Sequence, residues 1–123
     1  MKEHVSARLL VGVLASLLIG TAGFAQQQEK SVKTVKGEVV DLWCYMDHGA
    51  RGPKHKACAV ACAKMGNPIG IVDSEGNVYV AVGSELHQPD RERLIEKMAQ
   101  HVTVTGTVVS RGGLKMIYVK TIT

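Results

Sequence analysis

Alternating apolar and polar positions, the pattern of strands with one buried face, recur through much of the chain. Residues 32–43 (VKTVKGEVVDLW) are rich in β-branched side chains and predict a first strand that bends or bulges at Gly37. Four further strands are predicted at residues 68–73, 78–82, 101–110 and 114–122. Turn residues join them in pairs, SEGN in the first pair and RGG in the second, so we expect two hairpins.

Two segments have the spacing or composition of short helices. Residues 54–65 (KHKACAVACAKM) are dominated by good helix formers and end at the Gly66-Asn67-Pro68 stop. Residues 88–100 (QPDRERLIEKMAQ) begin with a proline suited to a first turn and place Leu94, Ile95 and Met98 on one face. Residues 47–53 (DHGARGP) predict a loop, because glycine and proline interrupt the pattern.

The order of elements is strand, cysteine helix, two strands, second helix, two strands. This order predicts a mainly β fold, a small five-stranded OB-like barrel with two short helices, one carrying the cysteines and one between strands 3 and 4. The barrel domain spans residues 32–123, with a cysteine-rich insertion at 44–66. Residues 26–31 are polar and predict a disordered N-terminus.

The first 25 residues predict a secretory signal peptide. Lys2 and Arg8 precede an apolar run at residues 9–19, and small residues lead to an expected cleavage point after Ala25. The run is shorter than the roughly 20 residues that span a bilayer. We therefore expect an exported protein, periplasmic or extracellular, with no stable membrane insertion after cleavage.

Charge and aromatic content argue against nucleic-acid binding. The formal net charge is +4 at pH 7, and removal of Lys2, Arg8 and Glu3 with the signal peptide lowers it to +3. Such a mild excess without a long basic block gives weak attraction for polyanions. Aromatic residues are 4% of the chain, and a stacking platform for bases would need most of them on one surface.

All three cysteines lie between Cys44 and Cys62, and this segment is the main candidate for function. On a helix, His55, Cys58 and Cys62 form one stripe, because they are spaced i, i+3 and i+7. Cys44, at the end of the first strand, can be folded over that stripe by the glycine-rich loop. Three thiolates and one imidazole form a tetrahedral Cys3His set that suits one zinc ion, and His48 is a spare ligand.

Two other chemistries remain open for the same cysteines. Copper(I) prefers thiolate and thioether, and Met46 and Met65 flank the segment, although a flanking methionine is more often core filler. Without metal, a disulfide from Cys44 to Cys58 or Cys62 would stabilise a small exported domain and leave one cysteine unpaired. The alternative function is therefore a thiol redox protein or a disulfide-stabilised module that binds a protein partner.

The segment GEVVDLWCYMDHGARGPKHKACAVACAKMGNPIGIV is similar to a signature of small exported bacterial proteins with an OB-like fold. The shared features are a Gly-x-Val-Val-Asp strand, Cys-Tyr, a glycine-rich loop, His-x-x-Cys-Ala-x-x-Cys-Ala and Gly-x-Pro-x-Gly. The resemblance covers residues 37–72. It implies export and an OB-like barrel, and it supplies no catalytic or binding residues.

Other residues are weaker candidates. Asp41 is expected to cap the loop after the first strand, or to support a ligand histidine. Trp43 and Tyr45 are expected either in the small core or as walls of the site. His87 and His101 are expected to be surface or helix-end residues. Because the sequence contains no recognisable catalytic grouping, we expect a metal-binding protein with a structural or metal-handling role, not an enzyme.

Overall fold

A computed structural model describes residues 28–84 and 91–123 of the chain. Within them, five strands close into a barrel in the order β1-β2-β3-β5-β4. The strands are β1 (Glu29–Asp41), β2 (Ile69–Asp73), β3 (Val78–Val82), β4 (His101–Arg111) and β5 (Leu114–Ile122). The helices are α1 (Leu42–His48), α2 (Lys56–Lys64) and α3 (Arg91–Glu96), with a 3-10 turn at Pro53–His55. The predicted mainly β, five-stranded OB-like barrel is confirmed.

Strand β1 belongs to both halves of the barrel. Its residues from Glu29 to Glu38 pair with β4, and those from Gly37 to Asp41 pair with β2, both antiparallel. Gly37 lies where the two pairings overlap, and a Cβ at this position would collide with the carbonyl oxygen of Val72. Glycine therefore permits the close approach of two strands at the predicted bend.

The barrel closes through a parallel pairing of β3 with β5, while β4 and β5 form an antiparallel hairpin. The register of this hairpin shifts between Thr105 and Gly106. A Cβ at Gly106 would overlap the carbonyl oxygen of Tyr118 on β5. The irregularity lets β4 coil enough to pair on both sides, which so few strands require for closure.

The interior of the barrel is filled by aliphatic side chains from every strand, as the alternating burial along β4 illustrates. Leu94 of α3 and Met98 just after it join this core and are almost fully buried. Helix α2 adds Ala59 and Ala63, whose small side chains let the helix lie close to the barrel. Burial of these apolar surfaces is the main favourable contribution to folding, and it fixes the position of α2, the helix that carries two cysteines.

Some predicted boundaries are wrong. Strand β1 begins at Glu29, so the last residues of the predicted disordered N-terminus lie in the sheet. Residues 42–48 form helix α1 instead of a strand end and a loop, so the described residues contain three α-helices where two were predicted. Helix α3 has six residues and begins at Arg91. The predicted signal peptide and His87 lie outside the described residues.

The turn between β2 and β3 is organised by Asp73. Its Oδ1 accepts hydrogen bonds from the backbone N–H groups of Glu75 (2.9 Å) and Asn77 (2.8 Å), and its Oδ2 accepts one from the Asn77 side chain (2.9 Å). Desolvation alone would raise the pKa of Asp73, but these hydrogen bonds outweigh it and hold that pKa below its usual 3.8.

We expect Asp73→Ala to lower the free energy of unfolding by about 1–2 kcal/mol at neutral pH, since three hydrogen bonds to one carboxylate are lost. Because the pKa is depressed in the folded state, this stabilisation is present above the unfolded value and disappears as the pH falls through the folded value. Urea unfolding of both proteins at several pH values checks this. An undiminished difference between them at about pH 2.5 would contradict it.

Candidate metal centre

Cys44 lies in the first turn of α1, not at the end of a strand as predicted. Asp41, the last residue of β1, is the N-cap, and its Oδ1 accepts a hydrogen bond from the backbone N–H of Cys44 at 2.9 Å. Gly49 ends the helix in a left-handed conformation (φ 67°), which glycine adopts without strain. The Asp41 cap therefore fixes the Cys44 backbone relative to the end of β1.

The loop after α1 is attached to the barrel by Glu38, a residue that is only 3% exposed. One carboxylate oxygen accepts a hydrogen bond from Arg51 Nε at 3.1 Å, and the other accepts one from the backbone N–H of Gly52. A buried carboxylate requires such partners to offset its loss of hydration. Glu38 thus fixes the loop immediately before the 3-10 turn that contains His55.

Helix α2 presents Cys58 and Cys62 one turn apart. Ala59 and Ala63 face the barrel, Cys58 is exposed and Cys62 is half-buried. The end of the helix is held by Arg91 of α3, whose guanidinium donates to the carbonyl oxygens of Ala63 and Asn67. These contacts fix the position of α2 against the barrel and α3.

The ligand atoms of these elements converge in two groups that share one thiol. Cys44, His55 and Cys58 form the outer triplet, and Asp41, Cys44 and Cys62 form the inner triplet. Within each triplet, one potential ligand atom from each residue lies within 4.8 Å of the others. The four predicted ligands are therefore all in one cluster, distributed over two overlapping triplets. Cysteine and histidine groups at this spacing are capable of holding a metal ion.

Two buried polar atoms in this cluster lack a hydrogen-bond partner among the described residues, namely His55 Nε2 and Asp41 Oδ2. Asp41 as a whole is 1% exposed. Buried polar atoms are almost always paired in folded proteins, because an unpaired one costs about 1–3 kcal/mol. Metal coordination is one way in which such atoms are satisfied.

The electrostatics of the metal-free cluster favour protonated thiols. Burial, together with the nearby negative charge of Asp41, raises the pKa of Cys44 to about 12. Burial likewise raises the pKa of Cys62, together with its contact to Cys58. A cation placed among these groups reverses the effect, because it stabilises the thiolates that bind it.

The remaining candidates are exposed at the surface. His48 is exposed and its Nδ1 pairs with Asp47 Oδ2 at 2.8 Å, so His55 and not His48 accompanies the thiols. Met46 and Met65 are 70% and 79% exposed and are not the core filler that we expected. Trp43 is also exposed, at 67%, and so lies outside the core.

Asp41 is the residue that sequence reasoning undervalued. It was expected to act as a cap or to support a histidine, and it does act as a cap, but an oxygen of its carboxylate also lies within 4.8 Å of the sulfurs of Cys44 and Cys62. The signal was its i, i+3 spacing from Cys44, which places both on the same side of a helix start. The spacing of three residues has no such meaning when Cys44 is assigned to a strand, where alternate residues share a face.

Within the described residues, the helices are all too short or too polar to cross a bilayer. No family model matches the chain, and no curated protein or solved structure is significantly similar to it.

Proposed function

We propose that this protein binds a metal ion, zinc or copper(I), through Cys44, His55, Cys58 and Cys62. The observation that supports the proposal most strongly is the outer triplet, in which two sulfurs and an imidazole nitrogen from three separate elements lie within 4.8 Å of one another. Cys62 adjoins this triplet through its contacts with both Cys44 and Cys58. A Cys3His set is a familiar structural zinc site.

The thiol chemistry favours metal binding over redox catalysis. A redox-active cysteine has a lowered pKa, since the thiolate is the reacting species. The pKa of Cys44 is raised to about 12 instead, by burial and by the carboxylate of Asp41. All three cysteines are free in the structure. A thiol that is difficult to ionise alone but is surrounded by further ligands suits a cation that displaces its proton.

Zinc is the better fit of the two metals. Both ions accept thiolate and imidazole, but the carboxylate of Asp41 beside the cluster is a hard oxygen donor that zinc tolerates and copper(I) does not prefer. We therefore propose zinc as the resident ion and copper(I) as the competitor.

The burial of the ligands supports a metal-handling role. Cys58 is exposed, whereas His55 and Cys44 are half-buried, so one edge of the outer triplet is open to solvent. An open edge permits the ion to be delivered and removed, while a fully enclosed site is typical of a purely structural zinc. With the predicted signal peptide, this supports the proposal that the protein handles metal outside the cytoplasm.

A comparison of two histidines tests the proposal. We expect His55→Ala to weaken zinc binding by about 100-fold, since one of four ligands is lost. His48→Ala should leave the affinity unchanged, because His48 is exposed and paired with Asp47. Competition with a chromophoric zinc chelator, on fully reduced protein, gives both affinities. Equal affinities for the two variants would show that His55 is not a ligand, and no binding by the wild-type protein would overturn the proposal.

A further inference from the structure

The inner triplet is a distinct group of ligands that the one-ion proposal leaves partly unused. Asp41, Cys44 and Cys62 come together within 4.8 Å of one another at the end of β1, deeper than the exposed Cys58. Around one zinc ion, ligand atoms are separated by about 3.3–3.8 Å, which follows from bonds of 2.0–2.3 Å in a tetrahedron. Small side-chain rotations would bring the triplet to this spacing.

We propose that the inner triplet is a second metal position, so that the protein holds two divalent ions bridged by the thiolate of Cys44. This inference rests on the proposed function. In the two-ion state the outer ion has Cys44, His55 and Cys58, and the inner ion has Asp41, Cys44 and Cys62. Solvent molecules complete both coordination shells.

The first argument for the inner position is the state of Asp41. Its Oδ1 is used by the backbone N–H of Cys44, but its Oδ2 is buried without a hydrogen-bond partner among residues 28–84 and 91–123. An N-cap needs only one oxygen. One oxygen of the Asp41 carboxylate lies within 4.8 Å of the sulfurs of Cys44 and Cys62. A cation bound among these three atoms would also compensate the buried Oδ2.

The second argument is charge balance. When metal is bound, the cluster contains three thiolates and the carboxylate of Asp41, which together carry four negative charges. One divalent ion leaves two of these charges uncompensated in a site where Asp41 is 1% exposed. Two divalent ions neutralise all four, and buried charge is costly unless it is paired or bound to metal.

The thiolate of Cys44, which both positions share, provides a route for an ion to move between them. Cys58 forms the exposed edge and Asp41 the buried edge, with Cys44 in contact with both positions. An ion arriving at the outer position can move inward by exchanging ligands one at a time, without returning to water. We expect the outer ion to be acquired first and the inner ion to bind more weakly.

Cadmium-113 NMR on the reduced protein, titrated with cadmium alone, tests this inference. The wild-type protein should bind two ions and give two signals. Asp41→Asn should bind one ion with an affinity within about threefold of the first wild-type step, since asparagine remains an effective N-cap while it removes the carboxylate. Asp47→Asn is the matched control, an exposed carboxylate on the same helix, and should still bind two.

The outcomes separate this inference from the proposed function. Saturation of the wild-type protein at one ion, or two ions retained by a folded Asp41→Asn variant, would overturn the second position and leave the first intact. Absence of any cadmium signal in the wild-type protein would overturn both. Circular dichroism melting of each variant establishes that it is folded, and the wild-type signal count stands independently of the variants.

Discussion

Cys44→Ser is expected to abolish metal binding, because the Cys44 sulfur belongs to both triplets. Cys58→Ser removes a ligand from the outer triplet alone, and Cys62→Ser removes one from the inner triplet alone. A ligand that binds only the folded state stabilises it by about 2.7 kcal/mol at a concentration 100 times its dissociation constant. The Cys44 variant should therefore lose all zinc-dependent stabilisation, while each of the other two retains part of it.

Urea unfolding with and without zinc measures this difference directly. The metal-free proteins provide the control, since serine replaces a half-buried thiol with little change in volume. We expect the metal-free wild-type protein and the metal-free Cys44→Ser variant to unfold within about 1.5 kcal/mol of each other. Retention of the full zinc effect in Cys44→Ser would remove Cys44 from the site and contradict the shared-ligand geometry.

The second large effect concerns the barrel itself. Gly106→Ala should lower the free energy of unfolding by about 3 kcal/mol or more, since the added Cβ would overlap the backbone carbonyl of Tyr118 on the paired strand. A backbone atom within a sheet cannot rotate away as a side chain can. The change would force β4 and β5 apart at the irregularity that lets the barrel close.

Gly76→Ala is the matched control for this substitution. Gly76 lies in the turn between β2 and β3 with φ +82°, and a Cβ there would meet no atom within 4 Å. Its cost comes from the left-handed backbone alone, about 1–2 kcal/mol. Chemical unfolding of the two variants compares steric overlap with backbone strain. A smaller loss in Gly106→Ala than in Gly76→Ala would show that the hairpin can move apart freely.

The sequence predicted the barrel well, because each strand is marked by a local pattern of apolar and polar residues. In β4 the alternation of valine with threonine matches the alternation of buried and partly exposed residues. The two hairpins were located by turn residues whose backbone chemistry is local. The predicted bend at Gly37 coincides with the point where β1 passes from one neighbour to the other.

The prediction from the sequence was wrong at the junction between β1 and α1, which positions Cys44. Residues 42–48 (LWCYMDH) contain aromatic and apolar residues that favour a strand continuation, so the short helix α1 was missed. It exists because Asp41 caps its start, Gly49 ends it and Leu42 is buried beneath it. Leu42 also donates its backbone N–H to the carbonyl of Pro68. Long-range contacts of this kind are not encoded in local pattern.

The grouping of His55, Cys58 and Cys62 was predicted from helical spacing. In the structure His55 and Cys58 lie with Cys44 in one triplet, and Cys62 lies with Cys44 in the other. Their division into two triplets was not predicted. That division depends on Asp41, whose carboxylate enters the cluster only because the chain turns from strand to helix at this residue. Spacing along one helix cannot reveal a ligand supplied by the strand before another helix.

Metal analysis combined with a thiol count, on protein purified without chelator or reductant, is the most direct test of the proposed metal centre. We predict at least one zinc ion per chain and three thiols that are protected from alkylating reagent until the metal is removed. Protein without metal, with one reactive thiol and two cysteines joined in a disulfide, would contradict it, provided that the reduced protein also fails to take up zinc or copper(I).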